Sequence, residues 1–192
     1  MKFKKKKKTP WYKNKTNIGI FIIVIMVSST IGFMMQQSPD GGNTVEYNGA
    51  EFQRVGYGWQ VNIQDKAFSF ENLPTEVENV STSLEPPQQS QKIYVADYPT
   101  QTTINGQYAM SKIAEFYSKF NIRVQPACME EEGCGNIPIV GCQENSPVIS
   151  IQEGNQTQVY SQGNCTIIQG KDSVEIVRAT ERYLYTLLGI MS

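Results

Sequence analysis

The sequence predicts an α+β (or α/β) extracytoplasmic domain with a mixed sheet and two main helices, preceded by one transmembrane helix. Three observations predict it. An uncharged apolar run, Ile18 to Met35, follows a strongly basic start. Strand, helix and strand patterns succeed one another between Ile93 and Val124. All four cysteines lie beyond the apolar run. A chain of 192 residues accommodates one ordinary domain and a tail.

The formal charge of -1 conceals an asymmetry, because eight of the 17 Lys and Arg stand before position 16 and all 18 Asp and Glu after position 39. The tail (Lys2, Lys4 to Lys8, Lys13, Lys15) is therefore +8, and the remainder sets nine basic side chains against 18 acidic ones, a net of -9. A body of that sign repels phosphate backbones, so no nucleic acid is expected as partner. The run Ile18 to Met35 has 18 residues, with Ser28, Ser29 and Thr30 as its polar members. As a helix it reaches roughly 27 Å, close to the ~30 Å hydrocarbon thickness. The lysines before it keep the N-terminus in the cytoplasm by the positive-inside bias, and Trp11 and Tyr12 suit the headgroup level. A cleaved signal peptide has a similar outline, yet Ile31, Phe33, Met34 and Met35 resume the apolar run and no Ala-x-Ala step occurs, which favours an anchor. The organisation expected is a basic cytoplasmic tail at 1–17, a span at 18–35, a flexible Gly- and Pro-containing spacer at 36–44 and an extracytoplasmic domain at 45–192.

Cys128, Cys134, Cys142 and Cys165 form an even set in a compartment where disulfides persist. Three connectivities exist, and pairing Cys128 with Cys134 and Cys142 with Cys165 is favoured as a tight local loop and a longer closure. Intervening stretches of five, seven and 22 residues contain no C-x-x-C knuckle, and the chain has no histidine. No metal or other cofactor is expected on that basis, and imidazole-dependent triads are excluded.

Within the domain, Tyr57, Trp59, Val61 and Ile63 alternate with polar residues, and Phe68 and Phe70 continue the period. Residues 45–71 therefore read as an antiparallel meander of two or three strands. Ser81 to Gln91, polar with Pro86 and Pro87, reads as an exposed loop. Ile93 to Ala96 is a continuous apolar run, as in a strand covered on both faces. Ala109, Ile113, Phe116, Tyr117 and Phe120 fall at helical spacing, with Asn121 placed to close the helix, and Ile122 to Val124 forms a strand ended by Pro126. A parallel crossover follows from that order. Val148 to Ile151 and Cys165 to Ile168 are short strands around a polar hairpin-like stretch with Gly154 and Gly163. Asp172, with Glu175 three residues on, opens a terminal helix whose stripe is Ile176, Thr180, Tyr183, Leu187 and Ile190, with Gly189 at its exit.

This order, strand, helix, strand, hairpin and terminal helix, resembles that of thioredoxin-like folds, and Ser146-Pro147 stands where such folds carry a proline before a strand. The cysteine pair the resemblance would place at the start of the first helix is absent from Thr100 to Gly106. In sheets with parallel strands, ligands meet the protein beyond the carboxyl ends of the strands. Asp97 and the acidic trio Glu130, Glu131 and Glu132 are the binding candidates at that edge, with turn capping and a solvated loop as the structural explanation for the same residues. Tyr57, Trp59, Phe68 and Phe70 could form a binding face, although period-two aromatics ordinarily cover a core. Ser111-Lys112 and Ser118-Lys119 cannot act as serine-lysine pairs, because adjacent helix positions point apart. Asn79, Asn155 and Asn164 each begin an N-x-S/T triplet. The function expected is a membrane-anchored binding or cell-envelope interaction module whose partners are the lipid bilayer and other envelope proteins or glycans. The alternative is a membrane-anchored enzyme, thiol-redox or carboxylate-based, with a site near Asp97 and Cys128.

Overall fold

The computed structural model describes residues 44–85, 90–97, 104–143 and 146–192. The expected tail, span and most of the spacer lie outside them. Among the described residues no helix is long and apolar enough to cross a membrane.

Four strands, β1 (Thr44–Tyr47), β2 (Ala50–Val55), β3 (Gly58–Ile63) and β4 (Lys66–Phe70), form an antiparallel meander in sequence order. The expectation was two or three. Two-residue hairpins let the chain reverse three times in 27 residues. Asn48-Gly49 takes positive φ at both positions, 48° and 79°, the backbone twist that matches antiparallel strands. Gln64-Asp65 does the same without a glycine, at 49° and 61°. Val61 is the register partner of both Phe52 and Phe68, and the three share the buried face with Ala50 and Phe70.

The second sheet is mixed and six-stranded, built from β5 (Ser81–Ser83), β6 (Lys92–Asp97), β7 (Arg123–Cys128), β8 (Val148–Glu153), β9 (Gln158–Gln162) and β10 (Cys165–Gly170). Its order is β5-β9-β10-β8-β6-β7, parallel throughout except for the β9-β10 pair. Helix α1 (Ile104–Ser118) joins β6 to β7, and Asn121 takes positive φ at 57° after it, as expected of a helix exit. Three expectations are corrected here. Ser81 to Ser83 is not loop but a short edge strand held by backbone pairing to β9. Pro126 does not end β7; it pairs opposite Val95 on an edge strand, where a missing N–H leaves no neighbour unsatisfied. Val148 to Ile151 and Cys165 to Ile168 are parallel neighbours, and the hairpin is β9-β10, turning at Gly163. The region after β7 therefore holds three strands where the thioredoxin-like order has a hairpin.

Helix α2 (Ser173–Leu187) is capped by the Asp172 carboxylate, which accepts from the Val174 and Glu175 amides at 2.9 Å each. Glu175 does not complete a capping box; it pairs with Arg178 at 2.5 Å. Both helices lie between the sheets. Phe116 and Tyr185 pack on Phe68, Phe52 and Phe70, with ring centroids 5.4, 5.8 and 4.1 Å apart respectively. Ile93, Val95, Ile149, Ile151 and Ile168 meet the helices in the same core from the other side. The opposite face of the six-stranded sheet carries Ala96, Ala127, Val148, Cys165 and Ile167, covered by the segment that contains Val140. Two disulfides, Cys128–Cys134 and Cys142–Cys165, fasten that segment. The sequence of layers is sheet, helices, sheet, disulfide-bonded segment, which makes the domain α+β.

Candidate functional site

At the carboxyl edge, backbone pairing sets Asp97 opposite Cys128 on one side and Ile151 on the other. The Asp97 side chain lies outside the described set. Glu130 is half-buried and Glu131 and Glu132 are exposed, all three inside the ring closed by Cys128–Cys134. The segment after that ring folds back along the sheet: the Cys128 amide donates to Pro138 O and the Val140 amide to Cys128 O, both at 2.9 Å. Ladder groups of the β7 edge are thus occupied by the chain itself. Among the described residues no group of three His, Cys, Asp or Glu is arranged to hold a metal ion.

The aromatic candidates divide. Phe68 and Phe70 are core residues, and Trp59 is half-buried with the Arg54 guanidinium 4.9 Å from its ring centroid. Tyr57 belongs to neither reading, since it sits in the β2-β3 turn and is 98% exposed. The serine-lysine neighbours are occupied separately. Ser111 Oγ and Ser118 Oγ donate to Tyr108 O and Glu115 O, while Lys112 binds Glu181 and Lys119 binds Ala67 O and Glu115. Of the three N-x-S/T triplets, Asn79 and Asn155 are exposed and Asn164 is half-buried beside bridged Cys165.

A cavity of about 650 Å³ opens at the other edge of the six-stranded sheet, over the amino ends of β6, β8 and β10. Ile93, Ile149 and Thr166 supply its sheet wall; Phe116, Tyr117 and Phe120 at the end of α1 and Tyr183 and Leu187 on α2 supply the rest. Its volume suits a small organic ligand, for which pockets of roughly 300–1,000 Å³ are usual. Glu85 is the charged side chain among the described residues that line it, and it is exposed.

Ser90, Ser161, Asn164 and Thr166 contribute polar groups to the lining, and two phenols meet in it. Tyr117 Oη and Tyr183 Oη are 2.7 Å apart. Burial pushes the Tyr183 phenol well above its ordinary pKa, with Tyr117 adding to the shift. Burial raises Tyr117 as well, against a smaller lowering by the Tyr183 hydrogen bond. Both phenols are therefore neutral at physiological pH. An array of that kind orients a polar atom and supplies no general base. Sequence reasoning placed Tyr117 and Tyr183 only in helical core stripes, and nothing in either stripe distinguishes a phenol that lines a cavity from one that fills a core. Comparison with protein-family models, with curated proteins and with solved structures finds no match to this chain.

Proposed function

We propose that the chain is a single-pass membrane protein whose disulfide-bonded domain works outside the cytoplasm as a binding module of the cell envelope, with the amino-edge cavity as its ligand site. The cavity carries the reading, as it combines ligand-sized volume, apolar walls and a few convergent hydroxyls. Support for the location comes from the +8 tail before an 18-residue apolar run and from two disulfides, which persist outside the reducing cytoplasm. The bilayer is the first partner, and other envelope proteins or glycans are reached by a domain held near it.

Two experiments test this. Protease added to intact cells or spheroplasts should remove the domain beyond Met35; a fully protected C-terminus would refute the topology. Thermal unfolding of the full chain in nanodiscs, screened against soluble small molecules, should find compounds that raise the midpoint of the parent more than that of Leu187→Trp, because the indole intrudes on the cavity. Equal shifts in both proteins would place binding elsewhere. An activity lost in Asp97→Asn at unchanged stability would favour the enzyme reading at the carboxyl edge.

A further inference from the structure

Two phenols, Tyr183 and Tyr117, hold two protons, and the one bond that joins them consumes one. One proton is left over whichever way that bond runs. If Tyr183 donates, it is the Tyr117 proton; in the reverse direction it is the Tyr183 proton. Both residues line the cavity, so a donor is left at its wall in either case. A donor stripped of water without an acceptor is costly, which makes this position selective for a ligand oxygen.

Charge narrows the class further. No Lys or Arg is among the described residues lining the cavity, and Glu85 sits at its polar side, so a ligand carboxylate or phosphate would be desolvated without a counter-ion. Ile93, Phe116, Phe120, Ile149 and Leu187 supply the apolar part of the wall, which suits a hydrocarbon body.

We infer that the cavity binds an uncharged, largely apolar molecule that presents one hydrogen-bond-accepting oxygen to the Tyr183-Tyr117 pair. This rests on the cavity being the binding site, as proposed above. Such chemistry is offered both by small neutral amides or alcohols in solution and by the headgroups of neutral lipids.

The test uses the full chain in nanodiscs, with tyrosines carbon-13 labelled at Cζ and the two cavity resonances assigned from Tyr117→Phe and Tyr183→Phe. Four probes share an eight-carbon chain: octanamide, monooctanoylglycerol, octanoate and octylammonium. Octanamide or monooctanoylglycerol should move the Tyr117 and Tyr183 resonances saturably, and the tighter of the two identifies the source as solution or lipid. Octanoate should bind at least about tenfold more weakly, since its charge would be buried unpaired. The double variant Tyr117→Phe with Tyr183→Phe, which leaves no phenol proton, should weaken octanamide by about fivefold, the equivalent of one neutral hydrogen bond, as read from the ligand's shift of the unfolding midpoint. Octanoate or octylammonium binding as tightly as octanamide, or unchanged octanamide affinity in the double variant, overturns the ligand class and leaves the cavity as a site. No movement of either resonance with any probe overturns the cavity itself.

Discussion

Glu181 shows what one residue can decide in this fold. Its carboxylate is fully buried and accepts from Lys112 Nζ at 2.6 Å, the Glu71 and Asn72 amides at 2.6 and 2.9 Å and the Asn72 side-chain amide at 2.7 Å. One side chain on α2 thereby fixes α1, the end of β4 and the turn after it. Glu181→Ala should cost about 3–5 kcal/mol, because it strands a largely buried ammonium and leaves the Glu71 and Asn72 amides without their acceptor. Glu181→Leu combined with Lys112→Met should recover a substantial part of that loss, since no charge remains to be desolvated. Denaturant unfolding of both variants checks the pair, and equal destabilisation by the single and double changes would show that the helix contacts matter and the charge does not. The phenols act in the same currency. Burial raises Tyr117, Tyr183 and Tyr185 above their ordinary pKa, so above about pH 10 the unfolded chain releases protons that the folded chain retains. The unfolded state then binds fewer protons, and stability falls as pH rises from that point. Lys112, where burial lowers but Glu181 and its neighbours raise the pKa to a net increase, contributes in the same direction, its ion pair being lost at high pH. Stability should be level from pH 7 to about 9.5 and decline above 10, with the tyrosinate absorbance of these residues appearing only as the fold opens; tyrosinate signal from all tyrosines before unfolding would contradict it.

Elements were legible where burial is written in side chains and illegible where backbone alone makes the contact. The Ile93 to Ala96 run gave β6 and its two covered faces, and the stripes of Ala109 to Phe120 and Ile176 to Leu187 gave both helices. Strand β5 is Ser-Thr-Ser and contributes only ladder bonds to β9, so its sequence cannot be told from the polar loop it borders. In β9, Val159 is the single fully buried position, which is too little to set a period. Pro126 misled because proline excludes central strands while an edge tolerates it, and edge position belongs to the topology. The cavity escaped for a similar reason: its walls come from the ends of β6, β8, β10, α1 and α2, and no segment contains it. Gly170 marks another contact of this kind. A methyl there would stand 2.3 Å from the Ile176 backbone nitrogen and 2.7 Å from the Glu175 carbonyl carbon, so the glycine is what lets β10 run directly under the first turn of α2. Gly170→Ala should destabilise by at least about 1–3 kcal/mol, as overpacking against backbone does. Asp172→Ala, one residue beyond the same turn, should cost only about 1 kcal/mol for the lost cap. Thermal unfolding ranks the two, and a Gly170→Ala effect no larger than that of Asp172→Ala would mean the turn can shift.

At the scale of the whole molecule the layers differ in what holds them. The two sheets and the helices between them share one apolar core, whereas the outer segment from Met129 to Gln143 covers a face of small side chains, Ala96, Ala127 and Ser150, and is pinned at both ends by disulfides. Loop-closure entropy makes the Cys142–Cys165 bridge, whose ends are 23 positions apart, worth on the order of 3 kcal/mol and the Cys128–Cys134 bridge, whose ends are six apart, less. Cys165 also lines the cavity, so the longer bridge braces a wall of the proposed site. Folding is thereby linked to the compartment in which the domain is made. Full-length chain synthesised into nanodiscs under reducing conditions should keep its helix content but unfold at a lower temperature than oxidised chain, and should bind octanamide less tightly. Cys142→Ser with Cys165→Ser should reproduce most of that loss, and Cys128→Ser with Cys134→Ser a smaller part, because only the first pair closes the long loop and touches the cavity. If the second pair proved the more costly, the outer segment would be held chiefly by the ring at the end of β7, and the binding role would move from the cavity wall to the carboxyl edge where Asp97 ends its strand.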